Sequence, residues 1–178
     1  MLYDPHNSIA GCIGYSLMTP EERQALLESI GSEARVCKIG TFQGATCRFL
    51  ARQRPGCQFL CVDDFSIPDD QGAEHTLHCW MQNKLPNMRL YYGTSQEFLR
   101  DARLASYDVI LVDGAHDYES CRVDLAVAQA LAVPGGLLLA HDYRSLPSPG
   151  VTRAVDELCL IRGLTVASVV VSLGFIRL

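Results

Sequence analysis

The apolar positions of this 178-residue chain come in short continuous runs separated by helical stretches. Arg35–Ile39, Gln58–Val62, Met88–Tyr92, Tyr107–Val112 and Leu137–Ala140 read as strands. The run Val109-Ile110-Leu111-Val112 has no polar alternation, which suits a strand covered on both faces of a parallel sheet. Between them lie helical patterns. Thr19-Pro20-Glu21-Glu22 is a capped helix start, with Pro at the first helical position and Glu closing a capping box, and this helix stops at Gly31. Further helices are predicted over Ala45–Gln53, around Ala73–Asn83, in a short stretch carrying Phe98 and Leu99, over Glu119–Ala132 with Asp117 as N-cap, and from Ser148-Pro149 to near Gly163. Strand and helix alternate, so the class is α/β with a mainly parallel sheet. The tail Thr165–Leu178 reads as two strands joined near Ser172-Leu173-Gly174. They are too close for a helical crossover and must pair antiparallel. Pro134-Gly135-Gly136 reads as the turn into the fifth strand. Residues 1–18 show no strong period and read as an irregular lead-in, packing over a site or against a partner. One domain, 1–178, is expected, without repeat or linker.

The polar residues that interrupt this pattern stand at the carboxyl ends of strands: Asp63-Asp64, Asp113 with His116, and His141-Asp142. Charged groups there are costly unless paired or working, and open α/β sheets bind their ligands at that end. The turn after the first strand, Gly40-Thr41-Phe42-Gln43-Gly44, suggests a nucleotide-like ligand. Its spacing is neither the dinucleotide fingerprint nor the P-loop, so no phosphate cradle is evident and a nicotinamide-dependent enzyme is disfavoured. A phosphate-free nucleoside with a positive centre fits, and S-adenosylmethionine is such a ligand. Asp63 is placed for a ribose diol.

Composition narrows the partners. The formal net charge of −5 argues against nucleic acid, and no apolar run is long enough to span a bilayer. The eight cysteines include no C-x-x-C pair. With no evident signal peptide, a reduced cytoplasmic setting is expected. His75, His78 and Cys79 are metal-ligand types on one helix, but no fourth ligand is apparent. With Trp80, the two histidines read instead as a flank over the sheet edge, facing an acceptor.

Several motifs in order carry a resemblance: KIGTFQGAT, CVDDF, GTSQEFL, VDGAHDYESCRVDL with PGGLLLAHDY, then GVTRAVDEL and VVSLGFIRL. Together they resemble the class I S-adenosylmethionine-dependent methyltransferases, of the small-molecule O-methyltransferase kind. The resemblance implies a Rossmann-like seven-stranded, mainly parallel sheet with an antiparallel last strand and helices on both faces. It implies that Lys38, Gly40, Thr41, Phe42 and Gly44 lie by the methionine part of the cofactor. Asp63 and Asp64 would hold the ribose, Thr94 and Ser95 the adenine side, and Asp113 the methionine part or a metal. In metal-dependent relatives a strand-four Asp binds Mg²⁺ and a base follows three residues later. Asp113 and His116 have that spacing, with His141 and Asp142 as the remaining metal ligands by position. Lys38 departs from the acidic residue most members carry there, so it must pair with Asp113, Asp142 or the cofactor carboxylate. The expected activity is methyl transfer to a small hydroxylated acceptor, with a homodimer as the expected assembly. The alternative is a degenerate methyltransferase fold serving as a non-catalytic binding module.

Overall fold

A computed structural model describes residues 9–178 of the chain; the first eight residues of the expected lead-in lie outside the described part. In chain order the elements are α1 (Pro20–Ser29), β1 (Arg35–Ile39), α2 (Ala45–Gln53), β2 (Gln58–Asp63), α3 (Ala73–Asn83), β3 (Met88–Tyr92), α4 (Ser95–Asp101), β4 (Tyr107–Val112), α5 (Tyr118–Leu131), β5 (Ala132–Ala140), α6 (Pro149–Arg162), β6 (Val166–Val170) and β7 (Leu173–Arg177). The seven strands form one sheet in the order β3-β2-β1-β4-β5-β7-β6. β7 alone runs against its neighbours, as the short tail required.

The apolar runs work as the pattern implies. Along β4, Val109 and Leu111 enter one core with α1, α2 and α3, while Ile110 and Val112 enter the other with α5 and α6. In β5, Leu137 and Leu139 share the first core, and Leu138 and Ala140 the second. Every residue of the runs Val109–Val112 and Leu137–Ala140 is buried, so no polar alternation survives there.

β2 and α5 differ from the sequence reading by one residue at their ends, and two places differ in substance. β5 begins at Ala132 and runs through Pro134-Gly135-Gly136, because Gly135 N–H donates to Leu178 O and Leu178 N–H to Gly136 O. The expected turn is thus a kinked start of the strand, with a register shift against β4. The last hairpin turns at Val171-Ser172, ahead of the expected place. Val171 has φ +55°, and the Ser172 N–H is anchored on the Glu22 carboxylate at 2.9 Å. Among the described residues no helix is long and apolar enough to cross a membrane.

Strand order reverses between β1 and β4, and the crevice of an open α/β sheet lies at the carboxyl ends of the strands flanking such a point. Ile39 and Val112 are paired neighbours there, so the chain leaves both strands side by side, at Gly40 and at Asp113.

Candidate active site

Gly40 is where the two strand ends touch. It has φ +76°, and a Cβ built on it would lie 2.2 Å from the Asp113 carbonyl oxygen. Only glycine meets both conditions. The turn that follows is pinned from below: Thr41 N–H and Phe42 N–H both donate to Asp63 Oδ2, at 2.5 and 2.9 Å, and Phe65 N–H donates to Asp63 Oδ1 at 2.7 Å. Asp63 therefore braces the glycine turn as well as facing the pocket. Gly44 starts α2, and the place of its missing Cβ is taken by Trp80. Trp80 is wholly buried, so the expectation that it faces an acceptor is corrected: it packs beneath the turn, in the core.

The resulting cavity has a volume of about 450 Å³, within the usual range for small-ligand sites. Nine of the ten residues expected around a cofactor line it: Lys38, Gly40, Thr41, Phe42, Asp63, Asp64, Thr94, Ser95 and Asp113; Gly44 does not, and instead ends the turn against Trp80. Thr94 spends its hydroxyl on capping α4, accepting from Glu97 N–H at 3.2 Å. Ser95 donates to Asp124 Oδ1 at 2.5 Å. Asp124, one turn or more into α5, is raised above the usual carboxylate range by burial, with the Ser95 bond opposing. Gln96, Tyr15, Ser16 and Leu17 also line the cavity, so the described part of the lead-in packs over the site as expected.

The inner wall is a chain of alternating charge. Lys38, only 4 % exposed, places its ammonium 2.5 Å from Asp113 Oδ2 and also donates to the Gly40 carbonyl. The requirement that Lys38 find a carboxylate is met by Asp113. The other oxygen of Asp113 lies 2.8 Å from His141 Nδ1. That contact is off the N–H axis, so its attraction is chiefly Coulombic. His141 Nδ1 is also 3.2 Å from Asp142 Oδ2, and its Nε2 is 3.3 Å from Glu22 Oε2. Asp142 sits at φ +60°, a conformation Asp tolerates better than most residues, and so turns its carboxylate towards both imidazoles. His116 Nε2 lies 3.1 Å from the same Asp142 oxygen, with its side chain about half exposed.

Burial is the largest influence on His141 and opposes its proton. The charge of Asp113, with the close contacts to Asp113, Asp142 and Glu22, outweighs it and pushes the imidazole up to about 12. Burial likewise opposes the charge on Asp113, yet Lys38 and His141 hold it well below the usual carboxylate range. Asp142 is held far down against its own burial by the two histidines. Glu22, on which burial also weighs most, is lowered to about 2 by His141, Ser172 and Thr19. Its contribution to stability is present above its ordinary value of 4.5 and is lost as pH falls towards 2.

Glu22 is the residue the sequence did not reveal as part of the site. The capping box fully accounted for it: its Oε2 accepts from Thr19 N–H at 2.8 Å and Thr19 Oγ1 from Glu22 N–H. Nothing local says that the same carboxylate also holds His141, 119 residues away. Asp124 was equally hidden among the apolar positions of α5.

Of the expected Mg²⁺ ligands Asp113, His141 and Asp142, the two aspartates each bring one donor atom within 4.8 Å of His116, the expected base, rather than forming such a group with His141. Their state is a poor match for that ion. Both Asp113 oxygens and one of Asp142 already face cations, and Mg²⁺ prefers an all-oxygen shell. His141, held protonated, has no lone pair to offer. No step below is routed through a metal.

A glycine turn braced by a strand-two carboxylate, with a strand-four acid at the switch point, defines a class I methyltransferase-type cofactor domain. Residues 37–143 match the family model described as "Methyltransferase domain", more than half of the chain, and the chain belongs to that family. No curated protein matches. Among solved structures, the O-methyltransferase NovP superposes with a TM-score of 0.65 at 19% identity, over 88% of this chain and 77% of that one. TomG from Streptomyces achromogenes, an O-methyltransferase involved in tomaymycin synthesis solved in complex with SAM, gives 0.63 at 18% identity, over 92% and 81%. CalS11, a TDP-rhamnose 3'-O-methyltransferase of calicheamicin biosynthesis, gives 0.61 at 13% identity, over 88% and 75%. These likenesses concern the fold.

Proposed function

We propose that the chain is an S-adenosylmethionine-dependent O-methyltransferase acting on a small hydroxylated acceptor. The observation that carries this reading is the His116–Asp142 pair, 3.1 Å apart, at the polar end of a cavity bounded by the glycine turn.

When bound, S-adenosylmethionine supplies a methyl carbon on a sulfonium leaving group. The protein must align the acceptor and take its proton. Gly40, Thr41 and Phe42 would hold the methionine part, and Asp63 and Asp64, which line the same cavity, the ribose. Asp142 is an acceptor only, so neutral His116 donates Nε2–H to it and keeps its lone pair on Nδ1. His116 Nδ1 would take the proton of the acceptor hydroxyl as that oxygen is methylated. Asp142 stabilises the imidazolium that results.

The alternative of a non-catalytic module drew its support from Lys38. Its pairing with Asp113 neutralises the lysine locally, so the cofactor's positive centre meets an ion pair rather than a lone ammonium. Calorimetric titration with S-adenosylmethionine and with its demethylated product tests the reading. Saturable binding of both is expected; a folded protein that binds neither at millimolar concentration would overturn it.

The pH dependence carries a second test. The Asp142 bond is the largest effect on His116 and raises its pKa above the ordinary 6.5, against partial burial. Its stabilising contribution is therefore complete below 6.5 and fades as pH rises through the elevated folded value. The base form appears over the same interval. In Asp142→Asn the His116 titration, followed by NMR of its ring protons, is expected to move down, and the alkaline rise in methyl transfer to move with it. An unmoved titration would remove Asp142 from this role.

A further inference from the structure

A second group of metal-ligand side chains lies outside the wall just described, on α3 and the loop before it. Asp69, His75 and Cys79 each bring one donor atom within 4.8 Å of the others. His75 and Cys79 are four apart on one helix and so share a face. The Cys79 sulfur lies 3.6 Å from His75 Nε2 and 3.9 Å from Nδ1, and His75 Nδ1 lies 2.7 Å from Asp69 Oδ2. For a zinc ion at its usual ligand distances, the edges of a tetrahedron built on sulfur, nitrogen and oxygen are about 3.3–3.6 Å. With Nδ1 as the ligand atom, the sulfur–nitrogen separation of 3.9 Å is longer than its edge and the nitrogen–oxygen separation of 2.7 Å shorter, each by roughly half an ångström.

The third donor escaped the sequence reading because Asp69 belongs to a loop, not to the helix. It is well prepared. Asp69 Oδ1 accepts from Gln71 N–H at 2.9 Å and Oδ2 from the Gln43 amide at 2.6 Å. The Asp69 N–H is tied to Thr76 Oγ1 at 2.9 Å, which fixes the loop on the helix. Outer bonds of this kind orient ligands and tune their affinity. Cys79 is buried and Asp69 nearly so, while the His75 side chain is 34 % exposed and opens the group to solvent. A thiol, an imidazole and one carboxylate form a donor set for a borderline-soft ion rather than for Mg²⁺ or Ca²⁺.

We propose that Asp69, His75 and Cys79 form a binding site for a zinc-class divalent ion, with solvent in the fourth position. Binding forms a metal–sulfur, a metal–nitrogen and a metal–oxygen bond, releases the Cys79 thiol proton to solvent, and leaves His75 a neutral imidazole with its proton on the nitrogen away from the ion. The site also has a line to the cofactor turn. Gln43, which bonds Asp69, accepts from Tyr15 N–H through its side-chain oxygen at 2.9 Å, and its backbone carbonyl accepts from the Asn83 amide at 2.7 Å. An occupied site stiffens the brace behind Gly40–Gly44. That consequence rests on the reading of the pocket above; the ion site itself does not.

The test uses Co²⁺ as the probe, with chelator-stripped full-length protein under a non-thiol reductant. Expected are one equivalent of bound Co²⁺, a thiolate-to-metal charge-transfer band, visible bands of tetrahedral Co²⁺, and their displacement by Zn²⁺. Cys79→Ser and, at the half-open position, His75→Gln are each expected to abolish the charge-transfer band or weaken Co²⁺ binding by at least about tenfold. Cys12→Ser, away from the site, is expected to leave the spectrum unchanged. Absence of the band from folded protein, or a band that survives His75→Gln and Cys79→Ser, overturns the proposal. No cofactor is present, so failure here is separate from failure of S-adenosylmethionine binding.

Discussion

Replacing Asp113 with asparagine is expected to cost about 3–5 kcal/mol of folding stability, the usual penalty for removing one partner of a buried ion pair. The physical reason is the number of cations that Asp113 serves. Lys38 and His141 lie on its two oxygens, at 2.5 and 2.8 Å, and both are buried. An amide of the same shape leaves the lysine with the Gly40 carbonyl and the histidine with Asp142 and Glu22. Their pKa values must then fall, because burial opposes both charges. Chemical denaturation at neutral pH measures the loss. The double variant Asp113→Asn, Lys38→Met removes one stranded charge and is expected to recover part of it. If the double variant is no more stable than the single one, the pair is not what Asp113 supports.

Gly40→Ala is expected to abolish detectable cofactor binding. The new methyl group would sit 2.2 Å from the Asp113 carbonyl oxygen and 2.5 Å from Gly114 Cα, both backbone and unable to swing aside. Adopting φ +76° adds about 1–2 kcal/mol of strain. The relief open to the chain is to part the ends of β1 and β4, which form the floor of the pocket. Calorimetry with S-adenosylmethionine is the measurement. Unchanged affinity in a folded Gly40→Ala protein would show that the turn does not carry the ligand.

The repeated apolar runs made the fold legible. β1, α2, α3 and β3 have the expected bounds because each is closed by residues with one local meaning, such as Pro55-Gly56 after α2. β5 was misjudged at its start because Pro134-Gly135-Gly136 has the chemistry of a turn, while its hydrogen bonds go to Leu178, more than forty residues away. The site was legible where it depends on strand ends, which a sequence marks by a sudden change from apolar to acidic. It was not legible where a residue reaches in from elsewhere. Glu22 already had a complete local explanation as a cap, Asp69 lay in a loop without a period, and Trp80 looked like surface because Gly44, which makes room for it, is 36 positions earlier. Lys38 is instructive in the other direction. Its type was at odds with the resemblance, and the need for a carboxylate partner followed from charge alone.

The bonds of Glu22 also set an order of events. One carboxylate joins the first helix to the tip of β5 and to the turn of the last hairpin, across 119 and 150 residues of chain. Closing loops of that length is slow, and their entropy is lost before the contact forms. A nascent chain can lay down β1, β2 and β4 and fill much of both cores while Ser172 is still unmade. Glu22 then holds His141 through one oxygen while its other oxygen still awaits Ser172. The second oxygen of that carboxylate is thus satisfied only when the hairpin of β6 and β7 folds back onto α1.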